Sequence, residues 1–303
     1  VEFTVSGERF TAGLLLSVAE TGGQVWAVGG RAGKTAVLRR AALESSAEFE
    51  PVENPGEHIA WWVCELGGDL ALVGDAGMVL VYSRGKFEEL DLGVTSTLYG
   101  CAGSSKDDFW VVGGDPLSGP PELIHVVGGE GTAPDLGVEA SQLPKVFFKI
   151  VQVGKQLFIV GDSGTVLHRE SGGDWKLESL SREPLFTVSA TSADDVWAVG
   201  GRTSGVLFHF DGEAWERQRL PSVPGLFGVS ATAHGVLAVG HAGTILEQLS
   251  TDSGAKQGWQ DRSVDTGDVF HAVWQADDGR AWATGGNVLE PLDRAWHGIV
   301  VGR

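Results

Sequence analysis

Between Asp194 and Trp215 the chain reads DDVWAVGGRTSGVLFHFDGEAW. An apolar run closes on two glycines, a short turn follows, and a second apolar run leads to another turn that ends on tryptophan. The first run, Val196 to Val199, is apolar at every position. A run that short and that uniformly apolar, bounded by turn residues, predicts a strand buried on both faces.

The phrase recurs along the whole chain. It stands as VWAVGG (Val25 to Gly30), LALVGD (Leu70 to Asp75), FWVVGG (Phe109 to Gly114) and LFIVGD (Leu157 to Asp162), and again as VWAVGG (Val196 to Gly201), VLAVGH (Val236 to His241) and AWATGG (Ala281 to Gly286). The first glycines of the seven copies are 39 to 48 residues apart, the size of a four-stranded propeller blade. Each unit supplies four strands. The first carries a large residue (Leu15, Trp61, Tyr99, Phe148, Phe186, Phe227 or Phe270) 10 to 12 positions before the motif residue, and the glycine-ending phrase is the second. The third is written MVLVY, TVLHR, VLFHF or TILEQ, and the fourth opens on Phe49, Phe87, Trp175, Trp215 or Trp259. Blade 3 offers no such aromatic.

The reading is therefore an all-β, seven-bladed β-propeller of four-stranded antiparallel blades, one domain over residues 1–303. The blades fall near 13–53, 58–92, 97–138, 146–180, 185–220, 225–264 and 269–301, with 1–6 completing the last. The seventh copy has only three strands, and the strand-like Glu2 to Val5 is left over. Phe3 precedes Leu15 by 12 residues, the interval that also separates Trp215 from Phe227. The N-terminal strand is thus expected to close the ring, leaving no sheet edge between first and last blades. Copies 1, 3, 5 and 7 end in GG and copies 2, 4 and 6 in Gly-Asp or Gly-His, which predicts two kinds of turn after the second strand.

Composition narrows the partners. Acidic residues outnumber basic ones 40 to 22, a net charge of −18 that argues against nucleic acid and anionic membranes. No apolar stretch approaches a membrane span. Cys64 and Cys101 form neither a disulfide framework nor a zinc pattern, and on inner strands of adjacent blades they are read as buried free thiols. The eight histidines lack metal-ligand spacing, no glycine opens a helix, and no cofactor or metal is expected. The chain opens at Val1 without methionine or signal-peptide pattern, which is read as a removed leader or a trimmed chain. Export stays open and the compartment unassigned.

The turns after the second strands present Arg31, Asp75, Asp115, Asp162, Arg202, His241 and Asn287 around one mouth of the expected channel, the candidate binding face. Asp75 and Asp162 also suit simple turn-making. Trp26, Trp110, Trp197 and Trp282 hold equivalent second-strand positions and read as inter-blade packing. Trp61, Trp62 and Trp274 are candidates for ligand stacking, because two adjacent tryptophans on a regular strand cannot face one side. The segment from Lys34 to Pro55 and DPLSGPP (Asp115 to Pro121) exceed the repeat, as binding loops do.

GDSGTVLHRESGGDW (Gly161 to Trp175) and DDVWAVGG…FHFDGEAW resemble the BNR or Asp-box class of bacterial propellers, and within it the photosystem II assembly and stability factor group with its non-photosynthetic relatives. The resemblance covers nearly the whole chain and implies the fold. The class also contains sialidases, which use three arginines, a tyrosine paired with a glutamate, and an acid/base aspartate. Here the only tyrosines, Tyr82 and Tyr99, fall on strands, the opening Arg-Ile-Pro phrase is missing, and FDGEAW is a shortened Asp-box. The expectation is a monomeric, non-enzymatic scaffold for a protein or peptide partner. A glycan-binding lectin, or an enzyme with a site assembled across blades, stands as the alternative.

Overall fold

The computed structural model describes residues 4–5, 13–31, 35–42, 49–53, 57–249, 258–287 and 297–303. Among these, the strands form seven four-stranded sheets with antiparallel neighbours. Blade 5 is typical, with strands Leu185–Ser192, Asp195–Gly200, Val206–Phe210 and Trp215–Arg217 paired in chain order. Each first strand packs on that of the next blade, and the first strand of blade 7 packs on that of blade 1, so the inner strands form a closed circle. In the last sheet Thr4–Val5 lies antiparallel to Gly298–Gly302, with Val5 opposite Val301. Phe3 lies outside the described residues. No helix among those described is long and apolar enough to cross a membrane.

The second strand shows why its sequence is apolar on both faces. Val196, Trp197, Ala198 and Val199 are all fully buried. Val196 and Ala198 join Phe158 and Val160 of blade 4, whereas Trp197 and Val199 join Leu226 and Val229 of blade 6. Alternate residues thus serve opposite neighbours, each fully buried valine or leucine contributing about 1.5–3 kcal/mol. Trp26, Trp110 and Trp282 are buried in the same way. Histidines on the third strands brace these second strands. Asp195 accepts from Thr191 Oγ1 (2.6 Å), Trp197 Nε1 (3.0 Å) and His209 Nε2 (2.8 Å), and His209 stacks on Trp197. His125 pairs with Asp108 and stacks on Trp110, and His168 pairs with Gln156 and stacks on Phe158.

The motif glycine has a steric cause. A Cβ on Gly200 would stand 1.9 Å from the Pro184 carbonyl oxygen, because that carbonyl passes over Gly200 to accept from Gly201 N at 3.0 Å. The same collision, at 1.8–2.4 Å with the chain entering the first strand, meets a Cβ on Gly29, Gly74, Gly113, Gly161, Gly240 and Gly285. Gly200→Ala is expected to force the entering chain aside and destabilise the fold by about 2 kcal/mol. Gly172→Ala, whose Cβ would meet nothing within 4 Å, should leave the thermal midpoint unchanged. Equal midpoints for the two variants would refute this account.

In six of the blades the turns after the second strands divide as the phrase endings predict, whereas in blade 1 Gly30 continues the strand to Arg31. Blades 2, 4 and 6 make a 3-10 turn with a left-handed non-glycine residue at its centre, Ala76, Ser163 or Ala242. Blades 3, 5 and 7 instead use a second glycine at positive φ: Gly114, Gly201 or Gly286. Blade 3 closes on the short strand Glu130–Thr132, without an aromatic.

Two expectations are corrected. Cys64 and Cys101 are joined as a disulfide, not free, with Cα atoms 5.9 Å apart on the first strands of blades 2 and 3. In blades 1 and 7 the first-strand register is one residue later than expected. Leu15 and Phe270 are fully buried core residues, and the equivalent of Trp61 is Leu16 in blade 1 and His271 in blade 7.

Candidate functional site

Every first strand breaks its pairing at a common place near its start, and those of blades 3 and 5 slip a second time near their ends. The register slips between Leu15 and Ser17, Ala60 and Trp62, Leu98 and Gly100, Phe147 and Lys149, Leu185 and Thr187, Leu226 and Gly228, and Phe270 and Ala272. A bulge sets two residues against one, interrupts the alternation of faces and turns an extra side chain out of the blade. The residues at the slip are Leu16, Trp61, Tyr99, Phe148, Phe186, Phe227 and His271.

Six of the seven are aromatic, and they meet one another around the channel. Ring centroids lie 5.4 Å apart for Trp61–Tyr99, 5.6 Å for Tyr99–Phe148, 5.3 Å for Phe148–Phe186 and 4.9 Å for Phe186–Phe227. Phe227–His271 (5.9 Å) and His271–Trp61 (6.1 Å) close the circle past Leu16. All six rings are partly exposed. The residues preceding them, Ala60, Leu98, Phe147, Leu185, Leu226 and Phe270, are fully buried. The bulge thus separates a residue that builds the core from one that lines the channel.

A bulge also leaves a carbonyl without its ladder partner, and a buried orphan carbonyl is costly. Three of them are recovered by side chains of neighbouring inner strands. His271 Nδ1 donates to Leu16 O (2.6 Å), Lys149 Nζ to Tyr99 O (2.6 Å) and Thr187 Oγ1 to Phe227 O (2.5 Å). Lys149 is buried, and its ammonium also sits 4.1 Å from the centre of the Trp62 ring. Burial in these surroundings lowers the Lys149 pKa to about 7. Burial, and next the charge of Lys149, lower that of His271 to about 3. Burial, together with the nearby Asp75 and Asp115 charges, raises the Tyr99 pKa.

The expectation that Trp61 and Trp62 face opposite sides fails here. Trp61 reaches Tyr99 and His271, on blades 3 and 7, and Trp62 reaches Lys149 on blade 4. Both turn toward the channel because the bulge at Trp61 cancels one step of the alternation. Asp75 joins the same site, its Oδ1 accepting from Trp61 Nε1 (2.8 Å) and Thr97 Oγ1 (3.2 Å). His241 meets Phe227 edge to face at 4.8 Å, and burial lowers its pKa.

The other expected residues do not converge on the ring. Asp162 and Arg202 form an ion pair of 3.7 Å between blades 4 and 5, and Arg202 N donates to Glu183 Oε2. Asp115 ties its own loop, accepting from Leu117 N and Ser118 Oγ, although its charge is felt at Tyr99. Beside it, Leu117 is 92 % exposed on the 115–121 loop. Asn287 accepts from His297 N and closes a turn. Trp274 lies toward the far end of its strand, packed 5.7 Å from Trp282. The Arg31 side chain and residues 43–48 of the blade 1 extension lie outside the described set.

Sequence reasoning missed Tyr99, Phe148, Phe186 and Phe227 as site residues, and missed Leu16, Lys149 and His271 altogether. A signal was present: LY, FF, LF and LF stand at four strand starts, adjacent large residues that an unbroken strand would send to opposite faces.

No group of His, Cys, Asp and Glu that could hold a metal occurs among the described residues. Tyr82 packs against Trp26 and Phe87, with ring centroids 4.8 Å away in each case.

Similarity to solved structures covers nearly the full chain. The WD40 propeller domain of Doa1 aligns at TM-score 0.68 and 11% identity over 99% of this chain and 96% of that one. The chain has the fold of a seven-bladed β-propeller. The WD40 repeats of RRP9 align at TM-score 0.69 and 11% identity, covering 100% and 98%. YCF48, in a structure bound to a D1 peptide, aligns at TM-score 0.67 and 15% identity, covering 100% and 94%. No protein-family model matches the chain, and no curated protein matches it.

Proposed function

We propose that this propeller is a non-enzymatic interaction scaffold that holds a protein or peptide partner at the channel mouth bearing the aromatic ring. The observation that carries the reading is the ring itself: six partly exposed aromatic side chains delivered to one place by the same bulge in successive blades. Rigid aromatics gathered in one concave spot are the usual anchors of protein recognition. The peptide held by YCF48, a neighbour in fold, and the Asp-box likeness of the blade text go with this reading. A lectin built on the repeat would offer one platform per blade. These rings instead turn to each other and make a single site.

Peptides selected from a random display library on the immobilised protein test it. Their affinity is expected to fall by roughly thirtyfold or more for the Phe148→Ala/Phe186→Ala variant, the loss typical of anchor residues. Circular dichroism would show that the variant keeps its sheet. Selected peptides that bind the variant as tightly as the parent would overturn the reading.

A further inference from the structure

The aromatic ring surrounds an opening. With neighbouring centroids 4.9–6.1 Å apart, six rings in a closed circle stand roughly 11 Å from their opposites, which leaves room for one side chain between them. One residue further along the first strands lie Ser17, Trp62, Gly100, Lys149, Thr187, Gly228 and Ala272. Lys149 alone in that set carries a formal charge.

Among the described residues, no carboxylate pairs with Lys149. Its ammonium meets the Tyr99 carbonyl and the face of Trp62. A carbonyl and an indole take up part of its hydrogen-bonding capacity and none of its charge. Among the described residues, the ionisable group its charge acts on is His271 from blade 7, while Tyr99 from blade 3 meets it through the backbone carbonyl. His271 stays neutral and is itself disfavoured as a cation by Lys149. At the corresponding positions of blades 1, 5 and 6 stand Leu16 and Ser17, Phe186 and Thr187, and Phe227 and Gly228, none of which ionises. Of the two carboxylates whose charge reaches the ring at Tyr99, Asp75 is engaged by Trp61 and Thr97 at the rim and Asp115 by its own loop.

A buried cation without a counter-ion gains most from an incoming anion and opposes an incoming cation. One lysine suits a single negative charge, and the aromatic wall suits an apolar arm that carries it. A phosphate dianion would bring more charge than this floor balances and more acceptors than its donors satisfy.

We infer that the ring and Lys149 together form a receptor site for a carboxylate on an apolar arm, the rings gripping the arm and Lys149 taking the carboxylate. This rests on the reading of the same mouth as the docking face, and it names the chemistry of the anchor.

Three isosteric probes test it by calorimetry on the whole protein: 3-phenylpropionate, 3-phenylpropan-1-ol and 3-phenylpropan-1-amine. The acid is expected to bind saturably at pH 7 and at least tenfold more tightly than the amine. Lys149→Met should cost the acid at least tenfold and leave the alcohol unchanged. Should that variant fold poorly, the parent protein still decides. Raising the pH from 6.5 to 9 discharges Lys149 and should weaken the acid severalfold while the alcohol holds steady. The inference is overturned if the amine binds as well as the acid, if no probe binds, or if both the variant and the pH change leave the acid unaffected. Failure here and failure of the docking reading are distinguishable. Display peptides that depend on Phe148 and Phe186 but ignore Lys149 would sink the carboxylate site and leave the docking face standing.

Discussion

Replacing both Cys64 and Cys101 by alanine should lower the stability of the protein by about 4 kcal/mol, the chain-entropy value for a disulfide closing a loop of this length. The bridge spans 37 residues of sequence and joins Cα atoms 5.9 Å apart, a separation an unforced disulfide accommodates. Its position matters as much as its loop. Outside the channel lining, blades pack on their neighbours, so the cohesion of the ring is largely a chain of pairwise interfaces. This bridge crosses one of them, between the first strands of blades 2 and 3 and within the core that holds Ala71, Val73, Phe109 and Val111. The bridged protein should therefore lose roughly 8 °C from its thermal midpoint on substitution, and reductant should produce a loss of similar size in the parent and none in the variant. A parent whose midpoint ignores both reductant and substitution would show that the thiols contribute nothing as a pair.

The bridge also marks where the sequence could be read and where it could not. The glycine-ending phrase announced seven blades because its two causes are local: an apolar run buried from both sides, and a glycine under a passing carbonyl. Pairing the cysteines required a register. Cys64 lies three residues after the bulge at Trp61 and Cys101 two after the bulge at Tyr99. Odd and even steps along a strand face opposite neighbours. That one-step difference turns the sulfurs toward each other across the blade 2–blade 3 interface.

The channel mouth was hidden by the same feature. A bulge adds one residue to an otherwise alternating strand, and nothing in the composition of LYG, FFK or LFG says which of two large neighbours is the extra one. The loop residues Asp75 and His241 were found because turns are visible in sequence, and they do touch the ring. The aromatics that make the ring looked like core, and their adjacent partners are core. Lys149 had no signal of its own, since a lysine on an apolar strand is ordinarily expected to reach solvent.

Lys149 supplies the second large effect. Stability should rise by about 2 kcal/mol as the pH goes from 7 to 9, and Lys149→Met should abolish that rise. In the unfolded chain a lysine keeps its proton up to its ordinary pKa near 10.4. In the folded protein burial lowers the pKa to about 7. Between those values the unfolded state binds the additional proton, so each step up in pH penalises unfolding, at about 1.4 kcal/mol per pH unit. Below pH 7 both states hold the proton and the contribution is flat. His271 works in the same sense in a different window: its pKa is about 3 when folded and near 6.5 when unfolded, so it removes stability as the pH falls from 6.5 toward 3. The Met variant should thus lose the alkaline rise and keep the acid fall. That fall should level off at a higher pH, because without the Lys149 charge the folded His271 pKa is less depressed. Urea unfolding at one-unit pH intervals from 5 to 9 reads both limbs. A parent protein whose stability stays level or declines from pH 7 to 9 would mean that Lys149 is solvated as an ordinary surface lysine, and with it would go the uncompensated charge at the floor of the aromatic ring.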